Sequence, residues 1–263
     1  MFKNARILYS SCPLCESNQL KDIGTVACDK SPAYVEGLPK HINWRMCNFC
    51  GHVFTDGYFT GEALKLIFSK SQQTQTPGVE IESSRTIAGR MVNAVCTAIG
   101  RYEGRWLDVG FGNGSLMTTA SEFGFDVVGL DLRKENVERL SEYSYDVHCK
   151  ELCSYCEFGT FDVVSMADVL EHMPFPRQEL QHIKKLLKPK GVLFVSSPNM
   201  DSFVWKNLDK NQQNPYWGEI EHYHNFGRQQ LYGLLIGMDF EPVYYGVSER
   251  YRAGMEVIFL KTN

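Results

Sequence analysis

The sequence of 263 residues has little excess charge: 27 Lys and Arg stand against 31 Asp and Glu, a net of −4. Taken whole, such a chain is no electrostatic trap for nucleic acid. It has no apolar run near the roughly 20 residues of a membrane span. Its first residues, MFKNARILYSSC, lack the apolar segment of a secretory signal, so a cytoplasmic protein is expected. It has no internal repeat. A composition 43% hydrophobic and 22% charged excludes collagen-like, coiled-coil and wholly disordered chains. An even cysteine count is also missing. Nine cysteines without a signal argue against a secreted disulfide scaffold and turn attention to metal ligation.

Three stretches differ in character. Residues 1–60 are aromatic and turn-rich. Residues 61–80 read as a linker or lid, with the polar run SKSQQTQTPG at 69–78 at its centre. From about residue 81 helices and strands alternate. Helices are expected over 80–100, 115–123, 134–142, 176–187 and 228–236. Strands are expected over 106–109, 127–130, 161–166, 191–195, 243–245 and 257–260. This alternation implies an α/β domain, 81–263, with a mainly parallel doubly wound sheet covered on both faces.

In the first stretch, Cys12-Pro13-Leu14-Cys15 and Cys47-Asn48-Phe49-Cys50 form two CxxC pairs. Each pair sets two thiolates on one side of a tight loop, and two pairs make the sulfur cage that zinc prefers. A zinc-ribbon module over 1–60 is expected, too small to bury a good core unaided. Four cysteines complete the coordination set, so the zinc is structural and leaves His52 outside it.

The second signal is Asp108-Val109-Gly110-Phe111-Gly112-Asn113-Gly114, between a strand and a helix. Glycines there admit a ligand close to the backbone, and the helix start offers free N–H groups. Ser115 stands where a dinucleotide fingerprint needs its last glycine. Asp131 closes the next strand, where a carboxylate accepts ribose hydroxyls.

DVGFGNG, Asp131, FDVVSMADVLEH and PKGVLFVSSPN, in that order, resemble a class I S-adenosylmethionine-dependent methyltransferase over about residues 80–263. With the ribbon, the chain resembles bacterial methyltransferases of sugars, lipids or secondary metabolites. The resemblance implies a seven-stranded Rossmann-like sheet. It implies that Asp108, Gly110, Phe111, Gly112 and Gly114 hold the methionine portion, that Asp131 takes the ribose and that Leu132 lies against adenine. Glu151 is the nearest match to the acidic residue that meets the adenine amine. Ala167 and Asp168 face the sulfonium end.

Transfer to a hydroxyl needs a base and an aligned acceptor. The candidates are His172, His222 and His224, with Tyr216 and Trp217 as acceptor-pocket residues. A small-molecule acceptor is expected, methylated at O, N or C. The alternative is an RNA methyltransferase gripping nucleic acid through the ribbon. Residues 1–60 hold six Lys and Arg against five Asp and Glu, and such a neutral ribbon argues against it. Two lesser readings are a non-catalytic scaffold and a radical S-adenosylmethionine enzyme. The latter rests on Cys149, Cys153 and Cys156 in the CxxxCxΦC spacing. The sequence sets no oligomeric state.

Overall fold

A computed structural model describes residues 6–70 and 75–263. Its strands are β1 (Arg6–Leu8), β2 (Leu20–Ala27), β3 (His41–Cys47), β4 (Val53–Thr55), β5 (Gly57–Phe59), β6 (Gly104–Val109), β7 (Phe125–Leu130), β8 (Asp146–His148), β9 (Phe161–Ala167), β10 (Leu187–Pro198), β11 (His224–Asn225), β12 (Phe240–Val247) and β13 (Gly254–Lys261). The α-helices are α1 (Gly61–Ser69), α2 (Ile81–Ile99), α3 (Ser115–Phe123), α4 (Lys134–Ser141), α5 (Pro176–Leu186), α6 (Phe203–Lys210) and α7 (Arg228–Ile236).

Seven strands make the main sheet in the order β12-β13-β10-β9-β6-β7-β8. The pairs β8-β7, β7-β6, β6-β9 and β9-β10 are parallel; β13 runs antiparallel to β10 and β12. The expected doubly wound methyltransferase-type sheet is present. Its strands are apolar on both faces because both are covered. Trp106, Val127, Val163, Val192 and Ile258 point to the side of α2 and α3. Their next neighbours Leu107, Val128, Val164, Leu193 and Phe259 point to the side of α5 and α7. The alternation follows from the two-residue period of a strand. Each such buried side chain contributes roughly 1.5–3 kcal/mol. The strand order reverses around β6 and β9, which opens the crevice above their C-terminal ends where ligands bind in such sheets.

The N-terminal residues form a hairpin, β2-β3, extended by β4. The fourth strand of this sheet is β11, which comes from the C-terminal half: His224 pairs with Phe54 and Asn225 with Val53. The N-terminal module is thus stitched to the larger domain through its own sheet.

Besides the short strands β8 and β11, two helical segments differ from the sequence reading. The 61–80 stretch opens as helix α1, with Ala63 and Ile67 buried one turn apart. Its apolar residues recur at helical spacing, which the polar run beyond them obscures. Within that run, residues 71–74 lie outside the described residues. Helix α6 was also absent from the reading; Ser202 caps it by accepting from the Trp205 N–H.

Candidate active site

The glycine turn after β6 has little freedom to vary. Gly110, Gly112 and Gly114 have φ of 69°, 61° and 80°, the left-handed region that side chains disfavour. A Cβ on Gly110 would lie 2.6 Å from Val169 Cγ2, and one on Gly114 2.9 Å from Leu140 Cδ1. Gly110 N–H donates to the Leu130 carbonyl at 2.7 Å, locking the turn to the end of β7. Only the backbone of Phe111 belongs to this cradle, because its ring is buried in the core beneath α3.

Asp108 is buried, and Ser165 Oγ donates to its Oδ1 at 2.6 Å. Burial pushes its carboxyl up to about 7, against the opposing pull of Ser165 and Arg250. Asp131 accepts from Gly112 N–H at 3.1 Å, so one carboxylate joins the glycine turn to β7. It is also gripped by Arg133, through the backbone N–H at 2.8 Å, Nε at 2.9 Å and Nη2 at 2.7 Å. Arg133 reaches on to Gln75 Oε1 at 2.9 Å, and Asn136 Nδ2 bridges the carbonyls of Gln75 and Gly112, both at 3.0 Å. Gln75 and Val79 are thereby tied to residues around the turn, Val79 through its carbonyl to Asn113. Arg133 and Gln75 were missed in the sequence reading. Arg133 stands two residues after Asp131, a position from which a cation can fold back onto the carboxylate.

Leu132 is 47% exposed at the edge of this crevice. Glu151 is exposed at the head of the short 3₁₀ turn Leu152–Ser154. Ala167 ends β9 and Asp168 follows it. Asp168 has a φ of 58°, unusual outside glycine and a mark of strain kept at a site. Ser196 Oγ donates to its Oδ1 at 2.8 Å, and Arg250 lies 3.1 Å from Oδ2.

Beyond Asp168 the 3₁₀ turn Leu170–His172 brings Glu171 and His172 against His222. The two imidazoles meet edge to face with centroids 4.7 Å apart. His172 Nδ1 lies 3.0 Å from the Glu221 carbonyl; a carbonyl only accepts, so Nδ1 carries the proton and Nε2 the lone pair. Burial and the neighbouring His222 pull His172 down to about 3, so it stays neutral. His222 behaves oppositely. Burial lowers it, but the Glu219 carboxylate at 2.9 Å outweighs this and holds it at about 9, as imidazolium. Burial, with the charge of Asp168, raises Glu171 to about 8. Glu171 Oε2 and His222 Nδ1 are buried without hydrogen-bond partners. Glu171, His172 and His222 each place one donor atom within 4.8 Å of the others, a set whose composition suits a divalent cation. Tyr216 lies beside this cluster, its ring 6.4 Å from that of His222 and stacked on Trp205. Trp217 turns elsewhere, donating to Asp209 at 2.6 Å.

His224 does not join the other two histidines. It is fully buried on β11, with Nε2 2.9 Å from the Met173 carbonyl and Nδ1 3.0 Å from His52 Nε2. Both nitrogens are engaged within the fold.

In the module, the four thiols converge within 4.8 Å, with Sγ separations of 3.7 Å for Cys12–Cys50 and 3.5 Å for Cys15–Cys47. Bonds of about 2.3 Å in a tetrahedral cage imply edges of about 3.8 Å, whereas a disulfide would bring two sulfurs to about 2.05 Å. The two knuckles share one turn: Glu16 and Gly51, at φ 63° and 73°, donate back to the carbonyls of Cys12 and Cys47 at 2.9 and 2.8 Å. Cys149, Cys153 and Cys156 do not converge. They are exposed and hydrogen-bond separately to the Leu132 carbonyl, Glu179 and the Ser154 carbonyl. Among the described residues only the Cys12 group and the Glu171 group gather three or more such ligands, so the radical-enzyme reading has no cluster to bind.

The sheet order and the glycine–Asp131 cradle define the class I Rossmann-like methyltransferase architecture. Residues 85–245 match the family described as a methyltransferase domain, and the chain belongs to it. A ubiquinone biosynthesis O-methyltransferase of Nitrosococcus oceani is 36% identical over 176 residues, 58% of this chain and 72% of that protein. The protein of that name from Haemophilus ducreyi is 33% identical over 114 residues, 39% of this chain and 48% of its own length. The chain spans about half the length of the Haemophilus relative and 72% of the Nitrosococcus one. The fold is similar to Burkholderia thailandensis 1,6-didemethyltoxoflavin-N1-methyltransferase, solved with S-adenosylhomocysteine. The TM-score is 0.59 at 18% identity, covering 81% of this chain and 96% of that one.

Proposed function

We propose that this protein transfers a methyl group from S-adenosylmethionine to an oxygen of a small molecule, and that the acceptor is an acidic hydroxyl such as a phenol or enol. The observation that carries the reading is the His172–His222 pair, with His172 on the turn that begins at Val169, the residue that packs against Gly110 of the glycine turn. Asp131 and the N–H groups of the turn bind the nucleoside, Leu132 and Glu151 flank adenine, and Asp108, Gly110, Gly112, Gly114, Ala167 and Asp168 enclose the methionine end. When bound, S-adenosylmethionine supplies a methyl group activated by its sulfonium charge. His172 Nε2 takes the proton of the acceptor hydroxyl, and the His222 imidazolium stabilises the oxyanion left behind. An imidazole held near 3 is a weak base. It suits a hydroxyl that ionises readily better than a sugar alcohol. The relatives named O-methyltransferases agree with oxygen as the target.

The cage of Cys12, Cys15, Cys47 and Cys50 fits structural zinc. We place a zinc-ribbon module at 1–60, a connecting segment at 61–80 and the methyltransferase domain at 81–263. The near-neutral charge of the module favours a small-molecule acceptor over RNA. No helix among the described residues is long and apolar enough to cross a membrane.

A second reading of the acceptor side is that a divalent cation on Glu171, His172 and His222 lowers the hydroxyl pKa instead. A panel of phenols, enols and sugars incubated with methyl-labelled S-adenosylmethionine tests both. Under the base reading a phenol or enol is methylated without added metal, and His172→Ala loses about 10²–10⁴-fold in rate. Turnover strictly dependent on added Mg²⁺ or Mn²⁺ selects the second. Methylation of sugars alone contradicts the acidic-hydroxyl assignment.

A further inference from the structure

The turn that carries His172 is held from the zinc module. Tyr9 Oη donates to the Pro174 carbonyl at 2.7 Å. Arg177 Nη1 donates at 2.9 Å to the carbonyl of Leu14, which lies between two of the cage cysteines. The Tyr58 and Phe175 rings meet edge to face at 5.2 Å. Inside this contact runs a chain of polar atoms: His52, two residues beyond Cys50, then His224, then the carbonyl of Met173, next to His172.

The direction of that chain is fixed. The Met173 carbonyl only accepts, so His224 Nε2 carries a proton. His224 Nδ1 is then an acceptor, so His52 Nε2 carries the proton between the rings. His52 Nδ1 is left as a bare acceptor, which accounts for its being buried without a partner. The rings are clamped by packing as well: His52 stacks on Phe54 at 5.7 Å and meets Phe226 at 5.0 Å. His224 also serves β11, whose pairing with β4 fixes the segment that carries His222 two residues earlier. Tyr223, between them, donates from its N–H to the Glu171 carbonyl at 2.9 Å.

We infer that His224, oriented by His52, is a positioning residue for His172, and that through this pair the zinc module sets the geometry of the proton-accepting side of the active site. The inference rests on the reading of His172 as the base. It gives the module a role in catalysis that does not require it to touch the acceptor.

The test uses the full chain loaded with zinc and labelled with ¹⁵N-histidine. Two-bond ¹H–¹⁵N correlation reports the tautomer of each ring. The expected result is an Nε2–H tautomer for His224 and His52 and an Nδ1–H tautomer for His172. In His224→Phe, which keeps the aromatic packing and backbone pairing, the His172 signals shift and broaden while the affinity for S-adenosylhomocysteine is unchanged. His224→Gln, whose amide both donates and accepts, restores them. An Nδ1–H tautomer at His224, or His172 signals unmoved in His224→Phe, would overturn the inference. The tautomers of the unsubstituted protein decide the matter even where the Phe variant fails to fold. Failure of the unsubstituted protein to bind S-adenosylhomocysteine speaks against the methyltransferase reading instead, and the tautomers are read independently of it.

Discussion

The two halves of the proposed site are built differently. The cofactor half comes from one strand–turn–helix unit and the end of the next strand. Asp108, Gly110, Gly112, Gly114 and Asp131 lie within 24 residues of one another; the turn is tied to β7 through Gly110 and Asp131, and Asp108 is held by Ser165 of β9. The acceptor half is assembled from distant pieces: the turn after β9, the segment before β11, Arg250 near the C-terminus and Tyr9 near the N-terminus. The difference teaches where specificity can change. A locally encoded cradle survives alteration elsewhere in the chain. An assembled wall can be remodelled by the module that holds it, without disturbing the cradle.

The largest effect expected is on the module that supports the acceptor wall. Stripping the zinc proposed for the cage with a chelator should lower Tm by about 10 °C or more, read by scanning calorimetry with zinc content measured in parallel. A metal-free protein with unchanged Tm would remove the structural role. On the cofactor half, Gly110→Val meets Val169 and requires an unfavourable φ. It should abolish S-adenosylhomocysteine binding and cost about 3 kcal/mol in denaturant unfolding.

Stability should also depend on pH. Asp108 and Glu171, raised to about 7 and 8, stay protonated in the fold while their unfolded counterparts ionise. His222, held at about 9, keeps its proton above the pH at which an unfolded histidine loses it. All three leave the native state holding more protons, so stability falls as pH rises from about 6 to 9. His172 acts in the opposite sense, but only below its usual value near 6.5. A loss of at least about 2 kcal/mol across that window is expected in urea titrations at pH 6 and 9. Glu219→Gln, which removes the partner of His222, should move the alkaline limb of the turnover profile to lower pH; an unmoved limb would contradict the ion pair. The smallest effect lies at the junction of the halves. Arg133→Ala frees Asp131 from a partly exposed ion pair and should tighten S-adenosylhomocysteine binding by about threefold, read by calorimetry.

The two halves also differ in how far the sequence reveals them. The glycine turn and Asp131 were legible because glycine spacing, strand and carboxylate follow one another in the chain. The four-cysteine cluster was legible because each CxxC knuckle is a local turn. The acceptor half was only partly so. His172, His222 and His224 stood out as residue types, but partners far along the chain decide which faces the site: Glu221 for His172, Glu219 for His222, Met173 and His52 for His224. The two-residue strand β11 has no periodicity to detect, yet it ties the domain to the module. Arg250 opposite Asp168 carries no local signal either. Helix α1 was hidden because the polar run after it dominated the reading of the whole segment.

The most direct measurement is calorimetric titration of zinc-loaded protein with S-adenosylhomocysteine, beside an Asp131→Ala variant. Micromolar binding by the unsubstituted protein, lost in the variant, is the predicted result. No binding to the unsubstituted protein, or equal binding to both, would contradict the site as built here.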